Sequence, residues 1–302
     1  MKGEAVMLKL EHVEKRLGDF CLQDISFELP KGYIMGLIGE NGAGKTTLLN
    51  IILGLYQPDN GKVKLFNKEY VNAEQLIRNQ ISYVLTDENL FLPDISLSDN
   101  VGLFGKYYDN YEKDSLFDYC RQFSLDTGKK WKHISKGEKL KFQFAFALSH
   151  HSRLLVLDEP AANFDPAFQE QFLHMLTQFV SSGESSVILV THQLSQLDRI
   201  ADYITFLHRG KMVCSTEKET LTDSFRLVKG EEYKINLINQ ERIVYKEKNH
   251  YGVSALVRHC SMDSYDAALT VTIPVLEEMM YYFIKSGKLD EGSEELAEIC
   301  LK

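Results

Sequence analysis

A chain of 302 residues, 44% hydrophobic and 25% charged, has the usage of a globular protein with a buried core. It is long enough for one large domain, or a main domain with an appendage. The formal net charge of −9 counts against a dedicated nucleic-acid binder, which carries a basic face.

No apolar run reaches membrane-spanning length, and MKGEAVMLKL at the N-terminus lacks the long apolar stretch of a secretory signal. The cysteines at 21, 120, 214, 260 and 300 are odd in number and form no CxxC pair, which argues against a disulfide framework or a zinc cluster. Buried thiols in a reducing cytosol are expected for all of them.

Residues 8–17 (LKLEHVEKRL) and 21–30 (CLQDISFELP) read as half-buried strands joined by a turn at Gly18-Asp19. YIMGLIG (33–39) is a continuous apolar run, the pattern of a buried strand, and TTLLNIILGL (46–55) follows as a helix. KVKLF (62–66) and ISYVL (81–85) are two further strands. From about 95 to 150 the strand signal gives way to a helical insertion. Within it LKFQFAFAL (140–148) alternates as a strand does, yet Ala145 and Ala147 favour a helix, and a helix is expected.

RLLVLDEP (153–160) is a buried strand ending in two acids. Phe164, Phe168, Phe172, Leu176 and Phe179 recur near helical spacing. SVILVTH (186–192) is another buried strand, and YITFLHRGKMV (203–213) a hairpin turning at Arg209-Gly210. This alternation predicts an α/β domain. Beyond 223 the character changes. RLVKGEEYKINL and RIVYKEKNHYG read as strand-rich, IPVLEEMMYYFIKSG as a helix entered at Pro274, and the acidic stretch from Leu289 as loose or weakly helical. The expected division is 1–222 and 223–302.

Four short stretches carry chemistry. GENGAGKT (39–46) fits G-x-x-x-x-G-K-[ST] between an apolar strand and a helix. There Gly39, Gly42 and Gly44 let the backbone, with Asn41, Ala43 and Thr47, wrap phosphates. Lys45 supplies a charge to β/γ oxygens and Thr46 a magnesium ligand. A plain glycine turn is the alternative. LLVLDEP brings Asp158 and Glu159 to a strand edge, costly unless they find partners. Asp158 suits magnesium held through water and Glu159 a general base; a capping pair before a turn is the alternative.

His192 ends its strand as Asp158 does, so parallel strands place both at one crevice, where an imidazole can bond a γ-phosphate. A lone histidine is otherwise structural. Finally, ISKGEKLK (134–141) opens a helix at Ser135 and Gly137, a second place for phosphate unless it is a solvated turn.

Together the glycine loop, the Ser135–Gly137 opening, the DE strand, ANFD (162–165) and TH (191–192) resemble the ATP-binding subunit of an ABC transporter over about residues 5–215. The resemblance implies a P-loop NTPase cassette: a RecA-like core, an N-terminal antiparallel β subdomain, a helical subdomain and here a small α+β extension. It implies hydrolysis of ATP with Mg2+, and a head-to-tail homodimer or pseudo-symmetric heterodimer. In that dimer Ser135, Lys136, Gly137 and Glu138 would face ATP held by the partner's Lys45, and Asp165 would link the two sites. It also implies separate transmembrane permease subunits at the cytoplasmic face of the membrane, with no direct nucleic acid.

Closer still, the chain resembles ATPases paired with ABC-2-type permeases of Gram-positive bacteria, which often read SKG and carry a small extension. Such exporters handle antimicrobial or amphipathic peptides, antibiotics and similar compounds. There are three departures. Leu17 stands where an adenine-stacking aromatic is usual, with Phe20 a substitute. Thr86 stands where a glutamine is usual; Asp87 and Glu88 beside it read as a solvated acidic loop, with a magnesium contact as the alternative. Lys136-Gly137-Glu138 replaces two glycines and a glutamine. A soluble ABC protein acting on ribosomes or DNA is the rival; those commonly carry tandem cassettes or long inserts. A small P-loop kinase or GTPase leaves Ser135–Gly137 and His192 without a role.

Overall fold

The computed structural model describes residues 6–86, 90–250, 252–259 and 265–287. Asp87, Glu88, Cys260, Cys300 and the acidic stretch from Leu289 lie outside the described residues. The hairpin expected at the start is β1 (Val6–Leu17) and β2 (Phe20–Pro30), with β4 (Asn60–Leu65) on the other side of β1. Leu8, Leu10 and Val13 are buried, while Lys9 pairs with Glu28 and Lys64 with Glu11 on the outer face.

The next layer holds β3 (Ile34–Gly39), β5 (Ile81–Leu85), β6 (Leu154–Asp158), β7 (Ser186–Val190), β8 (Tyr203–His208) and β9 (Lys211–Glu217). Among the described residues the sheet order is β4-β1-β2-β9-β8-β3-β7-β6-β5. From β8 to β5 every pairing is parallel, and β9 closes the hairpin predicted at Arg209-Gly210. Each residue of β3 and β7 is buried. Strands covered on both faces need unbroken apolar runs, and these two have them.

Helices α1 (Lys45–Ile52), α2 (Tyr70–Asn79), α3 (Leu97–Phe104), α4 (Lys113–Gln122), α5 (Lys136–Leu148), α6 (Pro166–Val180) and α7 (Leu194–Ile200) cover this sheet, with α3–α5 forming the insertion. The alternating LKFQFAFAL is helical, as its alanines required. Its phenylalanines are enclosed on more than one side: Phe142 lies 5.0 Å from the Phe91 ring, and Phe144 lies 5.0 Å from Phe172 of α6. A helix buried all round shows no one-sided apolar stripe.

After β9 come α8 (Lys218–Asp223), β10 (Phe225–Gly230), α9 (Glu232–Ile235), β11 (Ile243–Asn249), β12 (Gly252–Arg258), β13 (Thr270–Thr272) and α10 (Leu276–Lys285). These strands form an antiparallel sheet ordered β11-β12-β10-β13. The strand reading of RLVKGEEYKINL is corrected here: the strand stops at Gly230 and a single helical turn follows. That turn sinks Ile235 beneath the sheet beside Val228 and Val253, while Lys234 pairs with Asp266 at 3.1 Å.

The opposite sheet face joins the main core, where Phe225, Leu227 and Leu256 meet Phe206, Leu221 and Phe283. Each such buried side chain contributes about 1.5–3 kcal/mol. The extension therefore packs on the rest of the chain through a shared core. Cys120 and Cys214 are buried thiols; Cys21 is only half-buried, because it lies in the opening hairpin.

Candidate nucleotide site

The sheet order sets β3, β7 and β6 side by side, so the loops leaving their C-terminal ends gather at one edge. After β3 the chain folds back tightly into α1. A Cβ on Gly39 would stand 2.3 Å from the Leu207 carbonyl oxygen. One on Gly44, at φ +105°, would stand 2.6 Å from Leu22 and 2.7 Å from the Phe20 ring. The loop is therefore a cradle that only glycine fits at both places. Helix α1 has no side-chain cap and no acid in its first turn among the described residues, which leaves N–H groups and the positive dipole end for an anion.

Lys45 is buried at 9% exposure, and its Nζ donates to the carbonyls of Gly39 at 2.7 Å and Glu40 at 3.1 Å. Burial draws its pKa down, against the charges of Glu159 and Asp158. A buried ammonium satisfied mainly by carbonyls is ready to accept phosphate oxygens in their place.

The carboxylates arrive from β6. Glu159 takes a left-handed backbone, φ +51°, while its N–H donates to the Val190 carbonyl at 3.0 Å. Such a conformation in a non-glycine residue costs about 1–3 kcal/mol and persists where surroundings enforce it. It turns the side chain toward the end of β7. The His192 N–H donates to Glu159 Oε2 at 3.2 Å, and His192 Nε2 lies 3.3 Å from Oε1.

Asp158, Glu159 and His192 thus face Lys45, Thr46 and Thr47 across an open cleft of about 600 Å³. Leu17, Phe20 and Thr86 complete its rim. The residues present fit a magnesium nucleotide: an uncapped helix start, a glycine cradle and a buried lysine for phosphates, with Thr46 and Asp158 as oxygen ligands.

Two departures gain a physical account. The Thr86 hydroxyl donates to the Asp158 carbonyl, so this side chain ties the loop after β5 to β6. Glu138, a charge that a neighbouring phosphate would disfavour, is held in place by the helix start. Ser135 N–H donates to its Oε2 at 2.8 Å, Glu138 N–H donates to Ser135 Oγ at 3.2 Å, and Lys129 lies 3.7 Å away. This reciprocal cap, led by the Ser135 N–H, holds the Glu138 carboxyl below its usual range.

Ser135, Lys136, Gly137 and Glu138 do not line the cleft that holds Lys45, and neither does Asp165. They belong together elsewhere. A Cβ on Gly137 would come within 2.8 Å of the Asn163 carbonyl oxygen, and Lys141 of α5 pairs with Asp165 at 3.1 Å. Asp165 also caps α6, accepting from Phe168 N–H at 2.9 Å. The opening of α5 and the ANFD turn form one packed surface.

Residues 22–162 match the family model described as ABC transporter. That segment carries an ABC transporter ATP-binding domain. This cassette is 28% identical over 225 residues to the Nod factor export ATP-binding protein I of Cupriavidus pinatubonensis, covering 72% of this chain and 68% of that protein. It is 29% identical to the nucleoside import ATP-binding protein NupA of Lactococcus lactis subsp. cremoris, covering 72% of this chain and 44% of that one.

A putative ribose/galactose/methyl galactoside import ATP-binding protein of Halalkalibacterium halodurans is also 29% identical, with 76% of this chain covered. The cassette spans only 47% of that protein, so it covers less than half of either import relative. The fold matches an ATP-binding subunit of an ABC transporter with TM-score 0.66 and 24% identity, over 70% of this chain and 90% of that one. It also matches a cassette solved as a post-hydrolysis dimer with ADP and Pi, with TM-score 0.62 and 21% identity, over 70% and 98% of the two chains. Relatives of both transport directions therefore stand near this cassette.

Some functional neighbours were not legible in the motifs. Leu194, Arg209 and Met280 share a second cleft with His192 and the start of the glycine loop. Met280 comes from α10, and no local pattern announces that docking. At the rim, Leu17 is 40% exposed and offers a branched aliphatic side chain; the Phe20 ring lies against Gly44 and Gly210. An aromatic stack is worth about 0.5–1.5 kcal/mol beyond area burial, so its absence weakens base discrimination. Turnover of GTP is expected within about tenfold of ATP, one decade being about 1.4 kcal/mol. Competition kinetics would check this. A much stronger ATP preference would mean that Phe20 leaves Gly44 and closes over the base.

Proposed function

We propose that the chain is the ATP-hydrolysing subunit of an ABC exporter, driving a peptide, antibiotic or similar compound through separate permease subunits. The observation that carries the hydrolytic part is the Glu159–His192 pair, 3.3 Å apart, facing Lys45 across the cleft. Glu159 acts as base toward the attacking water, and His192 bonds the γ-phosphate and orients that water. Magnesium, when held by Thr46 and Asp158, neutralises charge on the phosphate oxygens. Lys45 and the N–H groups of α1 bind the same oxygens.

The pairing part rests on separation. The opening of α5 points no group into its own chain's cleft, and a second copy placed head to tail gives Ser135–Glu138 a phosphate to meet. Asp165, packed on the same surface, then lies between the two sites. The pair is a homodimer or a pseudo-symmetric heterodimer, held at the cytoplasmic face of the membrane by its permease. Among the described residues no helix is long and apolar enough to cross a membrane. A Nod factor export ATP-binding protein stands among the relatives, at 28% identity over 68% of its length, in keeping with an exporter. Residues 1–222 are the cassette, and 223–302 an accessory unit.

ATP-dependent association tests this reading. Sedimentation of Glu159→Gln with MgATP should give a dimer, and with ADP a monomer. One mass under both conditions would count against a shared site.

A further inference from the structure

Helix α7 begins two residues after His192, so whatever fixes α7 bears on where the imidazole sits. It has seven residues, too few to hold a direction by itself. On the sheet side Leu197 is fully buried, and a Cβ on Gly36 of β3 would come within 2.8 Å of it. On the other side lies α10, which arrives from the far end of the sequence. The Leu276 N–H, at the start of α10, donates to Asp198 Oδ1 at 3.2 Å. Burial pushes the Asp198 carboxyl up, Glu277 and Glu278 add to this, and the Leu276 N–H works against it. Lys218 Nζ donates to the Asp198 carbonyl at 2.7 Å, so α8 grips the same residue. One turn along α10, half-buried Met280 reaches the cleft that contains His192 and Leu194. Met279, its neighbour, is buried in the shared core and leaves α10 little freedom to shift.

We propose that α10 is a positioning element for hydrolysis, setting His192 through the Asp198–Leu276 contact and through Met280. The inference rests on the reading of His192 given above. Without the Asp198 side-chain contact, α7 keeps Leu197, the Lys218 bond to its backbone and the Arg199–Glu170 pair but loses its hydrogen bond to α10, which lets His192 shift from its 3.3 Å relation with Glu159. Apart from His192, the phosphate-binding groups belong to the glycine loop and α1, so the effect falls chiefly on kcat and only slightly on KM. Asn at 198 keeps an oxygen that accepts from Leu276, and Leu at 280 keeps most of the apolar volume.

The test compares kcat and KM for MgATP in Asp198→Ala, Asp198→Asn, Met280→Ala, Met280→Leu and His192→Ala, made in the full chain. Displacement by about 1 Å can cost 10²-fold. A kcat loss of about tenfold is expected for Asp198→Ala and for Met280→Ala, with KM within about twofold. Asp198→Asn and Met280→Leu should restore most of the rate. The Met280 pair keeps the test open if Asp198→Ala does not fold. Wild-type kcat in both alanine variants, with His192→Ala inactive, overturns the positioning role alone. So does a conservative variant as impaired as its alanine counterpart. Wild-type kcat in His192→Ala instead refutes the histidine reading, and the proposal falls with it.

Discussion

Glu159→Gln is expected to lower kcat for ATP by about 10²–10⁴-fold, the usual contribution of a general base, while MgATP affinity stays near that of the wild type. The substitution is nearly isosteric. Its remaining carbonyl oxygen can still accept from the His192 N–H, as Oε2 does at 3.2 Å. The left-handed backbone at 159 is bonded through its own N–H to Val190, which a side-chain change does not touch. What disappears is an oxygen basic enough to take a proton from water. Single-turnover kinetics with a parallel binding isotherm separate the two effects. Turnover close to wild type would remove Glu159 from the role of base, and loss of binding alone would make it a structural ligand.

Lys45→Ala acts on the opposite term. A hydrogen bond to a charged group is worth about 1.5–3 kcal/mol, so MgATP affinity should fall by about ten- to hundredfold. The Nζ of Lys45 now donates to the carbonyls of Gly39 and Glu40, and both lose that donor in the variant. Some loss of thermal stability is therefore expected as well. Calorimetric titration at a temperature where the variant stays folded isolates the binding effect. Unchanged affinity would contradict the assignment of Lys45 to the phosphates.

How far the site could be read from sequence depended on how local its causes are. Glycines before Lys45, and acids or a histidine directly after unbroken apolar runs, carry their geometry with them, because parallel buried strands must end at one edge. The helix in α5 was legible only by weighing Ala145 and Ala147 against the alternation of Phe142, Phe144 and Phe146, since enclosure on several sides erases the amphipathic period. The pairing of Glu138 was foreshadowed by its place three residues after Ser135, the spacing of a reciprocal cap.

Other features depend on distant parts of the chain. Thr86 spends its hydroxyl on the Asp158 carbonyl because β5 and β6 are neighbours, which no spacing in the sequence states. The single helical turn that buries Ile235 was hidden in a strand-like run, because one buried side chain decided it and four residues show no period. Met280 reaches the cleft of His192 only because α10 packs along α7.

The central claim is that each ATP lies between the glycine loop of one copy and residues 135–138 of another. Mixing Lys45→Ala with Ser135→Arg tests it most directly. Neither variant alone has a complete site: the first lacks its phosphate lysine and the second the serine that opens α5. A mixed pair has one complete site, made of the Ser135→Arg chain's intact Lys45 and the Lys45→Ala chain's intact Ser135. With random pairing at equal amounts, turnover should return to about a quarter of the wild-type level, because half the dimers are mixed and each holds one of two sites. Wild-type turnover by Ser135→Arg alone, or a mixture no faster than the sum of its parts, would contradict a site shared between two copies of this chain.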